Sequence, residues 1–307
     1  MRYSHVVMAF TLLTGVAALS GCAGAPEDPS AATSRTASAG ATMSGMSTPV
    51  DPRSDDVLTR PAPAAETTRA YGPDPAQVYD VISPAAGATP RAVTVLVVHG
   101  GFWREGYDRT HALPEAHAFA AAGYTVALGE YRRAGMPGGG VPGTLDDVRA
   151  LTEAVGRDAS LPHPVVLVGH SAGGHLVAWA AGQPWVEGLG VVGAVSLAGV
   201  VDLGAADRLH LGSDATRAFV GTGPGTPAWR SADPMDTLPP RVPVRLLSGT
   251  EDDVVPTSVG DAYLDAARRV GGDVERTVLP DAGHMSFIDP DQPAFATVLS
   301  TVAALSR

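Results

Sequence analysis

The chain has 307 residues, a formal net charge of −11 and 21 basic side chains, every one of them arginine. A net-negative surface repels phosphate backbones, which argues against a nucleic-acid partner. A domain of about 240 residues buries roughly 70–75% of its unfolded surface and needs no staples, and the single cysteine, Cys22, excludes an intramolecular disulfide.

Arg2 and His5 precede an apolar run over residues 6–19. The run is too short to span a bilayer and has the length of a signal-peptide core. Leu19-Ser20-Gly21-Cys22 follows it. These four residues resemble the lipobox of bacterial lipoproteins. The resemblance implies that residues 1–21 are removed and that Cys22 becomes a lipidated N-terminus. The protein is then expected to be exported and held on the cell membrane, facing away from the cytoplasm. Ala23-Gly24-Ala25 is also a cleavage site for ordinary secretion. Residues 22–68 are mostly Ala, Ser, Thr, Pro and Gly with a few charges. Such a segment buries too little apolar surface to offset ordering entropy, so a disordered tether is expected there.

From residue 69 the composition is that of a folded domain. An early strand is predicted over 78–82 and a central buried strand over 92–98, the near-continuous apolar run AVTVLVV. A helix over 111–122 stops at Gly123, and a strand follows over 124–128. Thr144 is placed to cap the next helix, with Asp146 and Asp147 in its first turn. Leu145, Val148, Leu151 and Val155 share one face of it. Another strand is predicted over 165–168, with a helix from Ala172 onward, and a further strand over 191–197. Residues 200–241 form a short lid-like insertion with one helix near 213–219. The remaining pattern is a strand over 244–247, a helix over 258–270 stopped by Gly271-Gly272, a strand over 274–279 and a closing helix over 292–305. Strands that alternate with helices and are apolar on both faces predict a mostly parallel sheet covered on both sides. Reactive loops of such sheets gather at the strands' carboxyl ends.

The chemistry is expected at those ends. Gly169-His170-Ser171-Ala172-Gly173 reads G-x-S-x-G between a strand and a helix. A serine at that corner projects from the sheet edge, and the flanking glycines relieve the crowding. A serine hydroxyl needs a base, and the base needs an acid to orient it. His284 follows the last strand in LPDAGHMSF. The acid candidates Glu251, Asp252 and Asp253 follow the strand over 244–247. The oxyanion of acyl transfer needs backbone N–H donors. The amide of Ala172 is one, and the loop His99-Gly100-Gly101-Phe102-Trp103 supplies others.

His99, His170 and His175 are read as packing or loop-orienting residues. None has a metal partner at useful spacing, so no metal is expected. Glu130-Tyr131-Arg132-Arg133 reads as a structural ion-pair corner, and Trp179 and Trp185 as packing residues.

From about residue 70 to the end the chain resembles the α/β-hydrolase superfamily. His99-Gly100-Gly101-Phe102-Trp103 and Gly169-His170-Ser171-Ala172-Gly173-Gly174-His175-Leu176 are similar to the loops of small esterases and kynurenine formamidases. The resemblance implies an α/β-hydrolase fold, Ser171 as nucleophile and His284 as base. Gly249-x-x-Asp252-x-x-Val255-Pro256 matches the acid loop and assigns Asp252. Gly101, Phe102 and Ala172 would supply the oxyanion amides. The usual third glycine of the loop is here Phe102, and Phe102 or Trp103 is expected to narrow the acyl site. The implied reaction is hydrolysis of small carboxylic esters through an acyl-enzyme, with no cofactor. Hydrolysis of N-formyl amides and a catalytically silent binding lipoprotein are the alternatives.

Overall fold

The structure is a computed structural model and describes residues 55–307. Residues 1–21, Cys22 and the part of the expected tether up to residue 54 lie outside the described residues. Eight strands are described: β1 (Thr67–Ala70), β2 (Val78–Ile82), β3 (Thr94–Val98), β4 (Thr125–Gly129), β5 (Val165–His170), β6 (Val191–Leu197), β7 (Val244–Gly249) and β8 (Val274–Leu279). They form one sheet in the order β1-β2-β4-β3-β5-β6-β7-β8. β2 runs antiparallel to both its neighbours, and every other pairing is parallel.

The helices are α1 (Leu113–Ala121), α2 (Gly143–Arg157), α3 (Ala172–Ala181), α4 (Leu203–Arg208), α5 (Ala215–Val220), α6 (Pro227–Ala232), α7 (Thr257–Arg269) and α8 (Pro293–Leu305). The two-residue period of the strands sorts side chains to opposite faces. Val95 and Val97 of β3 join Val166 and Val168 of β5 in a cluster with Phe119 of α1 and Val298 and Val302 of α8. Leu96, Val98 and Leu167 point the other way, into Leu151 and Val155 of α2, Leu176 of α3 and Tyr263 of α7. All residues of β3, β4 and β5 are buried. Those strands read as continuous apolar runs for this reason.

The chain leaves β3 toward β4 on one side and returns to β5 on the other. This is the point in an open parallel sheet where a crevice forms beyond the strands' carboxyl ends. The register pairs Val98 with Gly169. The loop after β3 and the corner after β5 therefore start side by side.

Two expectations need correction. Thr144 does not cap α2; Pro142 holds that position, and Thr144 lies inside the first turn. Its hydroxyl instead accepts from the Gly140 amide at 3.0 Å and donates to the Arg132 carbonyl at 2.5 Å, so it ties down the preceding loop. Residues 55–68 were also expected to be disordered, and they are not. A 3-10 helix covers Asp56–Thr59 with Val57 buried, and Thr67–Ala70 pairs with β2 at the sheet's edge.

Glu115, in the first turn of α1, is buried and its Oε1 has no hydrogen-bond partner. Desolvation pushes its carboxyl from 4.5 up to about 8. Between those values the folded chain keeps a proton that the unfolded chain releases. Stability therefore falls as pH rises through this window, by about 1.4 kcal/mol per unit. Glu115→Gln stays neutral throughout. Denaturant midpoints at pH 5 and pH 7.5 should drop less in this variant than in wild type. Parallel drops would contradict a protonated Glu115.

Candidate active site

Ser171 stands between β5 and α3 with φ 53° and ψ −115°. This is a sparsely populated conformation for a residue with a side chain. It is held by hydrogen bonds on both sides. The Ser171 amide donates to the Leu197 carbonyl at 2.8 Å, and its carbonyl accepts from His175 at 3.1 Å and Val200 at 3.3 Å. The flanking glycines are needed for space. A Cβ on Gly169 would lie 2.2 Å from the Gly173 carbonyl oxygen, and one on Gly173 would lie 1.9 Å from that of Val98. The helix thus starts directly against the end of β3.

Asp252 lies in the loop after β7. Its Oδ1 accepts from the amides of Val254 at 2.9 Å and Val255 at 2.8 Å. Its Oδ2 accepts from His284 Nδ1 at 2.9 Å. The turn thus fixes one oxygen and leaves the other for the imidazole. Asp253 is exposed, and the Glu251 amide is tied to the Ala282 carbonyl at 3.0 Å. Of the three acids that follow β7, Asp252 is the one that meets the histidine. With Nδ1 engaged, Nε2 is the ring nitrogen left to face a substrate or a hydroxyl.

His170, read from sequence as a packing or loop-orienting residue, bonds the loop that carries His284. Its Nε2 donates to the His284 carbonyl at 3.0 Å, and the two rings lie 4.6 Å apart. Burial, and then the neighbouring His284, hold its pKa well below the ordinary value. A neutral His170 positions the His284 loop without placing a cation beside it.

The loop after β3 is braced from behind. His99 stacks on Tyr131 at 4.4 Å, and its Nε2 meets Glu130 Oε1 at 3.0 Å. Tyr131 donates its hydroxyl to the His99 carbonyl at 2.8 Å. Glu130 also accepts from the Arg109 amide at 2.9 Å and from Arg133. Burial raises the Glu130 carboxyl, but His99, the Arg109 amide and the Arg133 charge outweigh it and bring it below its usual range. The corner read as structural in the sequence therefore supports the loop. Gly101, Phe102 and Trp103 follow one another at φ 104°, 53° and 55°. A Cβ on Gly100 would come within 3.2 Å of Ser171 Cβ, so the loop lies against the serine corner. Among the described residues, the amides of Gly101, Phe102 and Ala172 donate to no backbone carbonyl. Ala172 opens α3, where helical N–H groups have no partner within the helix.

Trp103 does not narrow the site. It is buried, stacks on Phe219 at 4.7 Å and donates its Nε1 to His175 Nδ1 at 3.2 Å. His175 in turn donates Nε2–H to the Ala232 carbonyl at 2.8 Å, and burial lowers its pKa to about 4. Phe102 does line the site. A cavity of about 150 Å3 is bounded by Gly101, Phe102, Ser171 and His284 together with Tyr107, His111, His170, Val254, Met285, Asp55 and Leu58. The last two belong to the stretch expected to be tether. The insertion over 200–241 is not part of the wall. It backs the loop instead, with Phe219 under Trp103 and Arg104 donating to the Gly212 carbonyl beside Phe102. Trp179 packs as expected, with Nε1 donating to the Ser231 carbonyl at 2.8 Å. Among the described residues no group of three or more His, Cys, Asp or Glu side chains could hold a metal ion.

The arrangement can attack a carbonyl, accept the serine's proton and hold the resulting oxyanion. Comparison with known proteins agrees on the scaffold. The esterase Est2 from the Planctomycetes species Thermogutta terrifontis has a TM-score of 0.60 and 22% identity, covering 78% of this chain and 90% of its own. A truncated carbohydrate esterase from gut microbiota has a TM-score of 0.65 and 19% identity, covering 80% and 99%. Esterase B from Lactobacillus Rhamnosis (HN001) has a TM-score of 0.67 and 18% identity, covering 82% and 89%. At these identities the likeness establishes the α/β-hydrolase fold. No curated protein matches the sequence. The BD-FAE family model matches residues 79–264, more than half of the chain. The serine corner, the loop after β3 and Asp252 fall within that match, and the chain belongs to the BD-FAE family.

Proposed function

We propose that the protein is a serine hydrolase of small carboxylic esters, with Ser171 as nucleophile, His284 as base and Asp252 as its orienting acid. The observation that carries this reading is the convergence of Ser171, His284 and the Gly101–Phe102 loop on one cavity, with Asp252 bonded to the far side of the imidazole. Ser171 Oγ attacks the ester carbonyl while His284 Nε2 takes its proton. The amides of Gly101, Phe102 and Ala172 receive the oxyanion. Collapse expels the alcohol, protonated by His284, and water then cleaves the acyl-enzyme by the reverse roles. The solved esterases of this fold support the reading: one of them has been captured phosphonylated by sarin, another inhibited by a tributyrin phosphonate. A cavity of about 150 Å3 is below the roughly 300–1,000 Å3 of sites for drug-sized ligands, which favours short acyl groups.

A panel of 4-nitrophenyl esters and N-formylkynurenine tests substrate class. Turnover is expected to be highest on short-chain esters. Dominant turnover of the formamide would put the protein with the formamidases instead, and no turnover of either would leave only a binding role. The lipobox-like Leu19-Ser20-Gly21-Cys22 supports a lipid anchor at Cys22 on an exported protein. Mass spectrometry of the mature N-terminus tests it, and an unmodified N-terminus after residue 25 would contradict it.

A further inference from the structure

The active-site cavity has a wall that comes from outside the sheet. Asp55 and Leu58 line it together with Ser171 and His284. They belong to a segment that is firmly attached. Val57, between them, is 1% exposed and plugs the apolar cluster beneath α1. Arg60 donates two hydrogen bonds to the Asp289 carboxylate, at 2.7 and 3.2 Å, and also pairs with Asp291 at 3.1 Å. Asp289 is buried and follows the His284 loop. A fork-to-fork pair of this kind fixes orientation as well as distance. Farther on, the Pro63 carbonyl accepts from His117 Nε2 at 2.8 Å. The segment is thus pinned to the loop that carries the base.

The chemistry of this wall is unlike that of the rest. Phe102, Val254 and Met285 are apolar, and Tyr107 presents a phenol. Burial lowers the pKa of His111 to about 4, so it is neutral near pH 7. Among the described residues lining the cavity, Asp55 is the one carboxylate and none is an arginine.

We propose that residues 55–60 form a specificity wall, in which Leu58 gives apolar cover to an uncharged acyl chain and the Asp55 carboxylate at the mouth rejects a chain that ends in a carboxylate. The proposal rests on the ester-hydrolase reading above. It names the substrate class as short, uncharged acyl esters. Asp55 is exposed, so its repulsion of an anionic chain end is screened by solvent and salt, yet a single like-charge contact still costs about 1 kcal/mol.

The test compares kcat/KM for 4-nitrophenyl hydrogen adipate with that for 4-nitrophenyl hexanoate, which has a neutral chain of the same carbon count. Wild type should prefer the hexanoate, and added salt should weaken the preference. Asp55→Asn should raise the adipate-to-hexanoate ratio about fivefold. Asp265→Asn, which removes the same charge from an exposed position on α7, should leave the ratio as it is. Leu58→Ala should lower the hexanoate-to-acetate ratio about threefold through lost apolar contact. An unchanged adipate ratio in Asp55→Asn, or an equal rise in Asp265→Asn, would overturn the proposal while leaving the hydrolase reading intact. A wild type that a fluorophosphonate fails to label would overturn the hydrolase reading, and the wall's role with it.

Discussion

Ser171→Ala is expected to lower kcat/KM on short 4-nitrophenyl esters by about 10^5- to 10^6-fold, the scale seen when a nucleophile acting as part of a unit is removed. The substitution deletes one oxygen. Alanine keeps the Cβ, so the positive-φ corner is neither relieved nor worsened. The hydrogen bonds that fix this corner are made by the Ser171 backbone, to Leu197, His175 and Val200. The variant should therefore fold and melt like wild type. A variant that has lost its fold would show a changed circular dichroism spectrum, which separates the two causes of lost activity. Retained turnover in a folded Ser171→Ala protein would remove Ser171 from the mechanism.

His284→Ala is expected to cost nearly as much, because a neutral hydroxyl attacks poorly without a base. Asp252→Asn should cost about 10^4-fold in kcat, since an amide at this place favours the wrong imidazole tautomer. Asp252 also holds its own turn through the Val254 and Val255 amides. Asparagine keeps an oxygen for those two donors, so the loss should fall on kcat rather than on stability. Asp253→Asn is the control. Its side chain is exposed, and its activity should stay within about twofold of wild type. Reversed effects at positions 252 and 253 would mean that the acid is misassigned. Effects of paired substitutions should be far from additive, because the three residues act on one proton.

Much of this arrangement was legible in the sequence for a plain reason. Central strands buried on both faces read as unbroken apolar runs, and each of β2 to β8 was readable within two residues of where it lies. The G-x-S-x-G corner was legible because backbone crowding at Val98 and Gly173 tolerates no side chain. The order of serine, acid and histidine then followed the strands. What stayed hidden depended on contacts between distant segments. Three adjacent acids follow β7; the residues alone left them open, the resemblance to the acid loop assigned Asp252, and the bond from His284 agrees with that assignment. β1 is a short edge strand, TTRA, with three exposed positions, so it carries no apolar run. Residues 55–60 carry just Val57 and Leu58 among charged and polar neighbours, and their composition resembles that of the residues before them. Their place in the cavity wall depends on a buried plug and on Asp289, more than two hundred residues away. The insertion over 200–241 was legible as an insertion, but whether it covers the cavity or backs the loop depends on where Phe219 and Gly212 pack.

The central claim is that Ser171 is the nucleophile of an acyl-transfer site. Its most direct test is mass spectrometry of the wild-type protein after exposure to a fluorophosphonate. A single adduct is expected on the peptide that carries Ser171, formed at a rate that drops sharply in His284→Ala. An unlabelled protein, or an adduct on another serine, would contradict it.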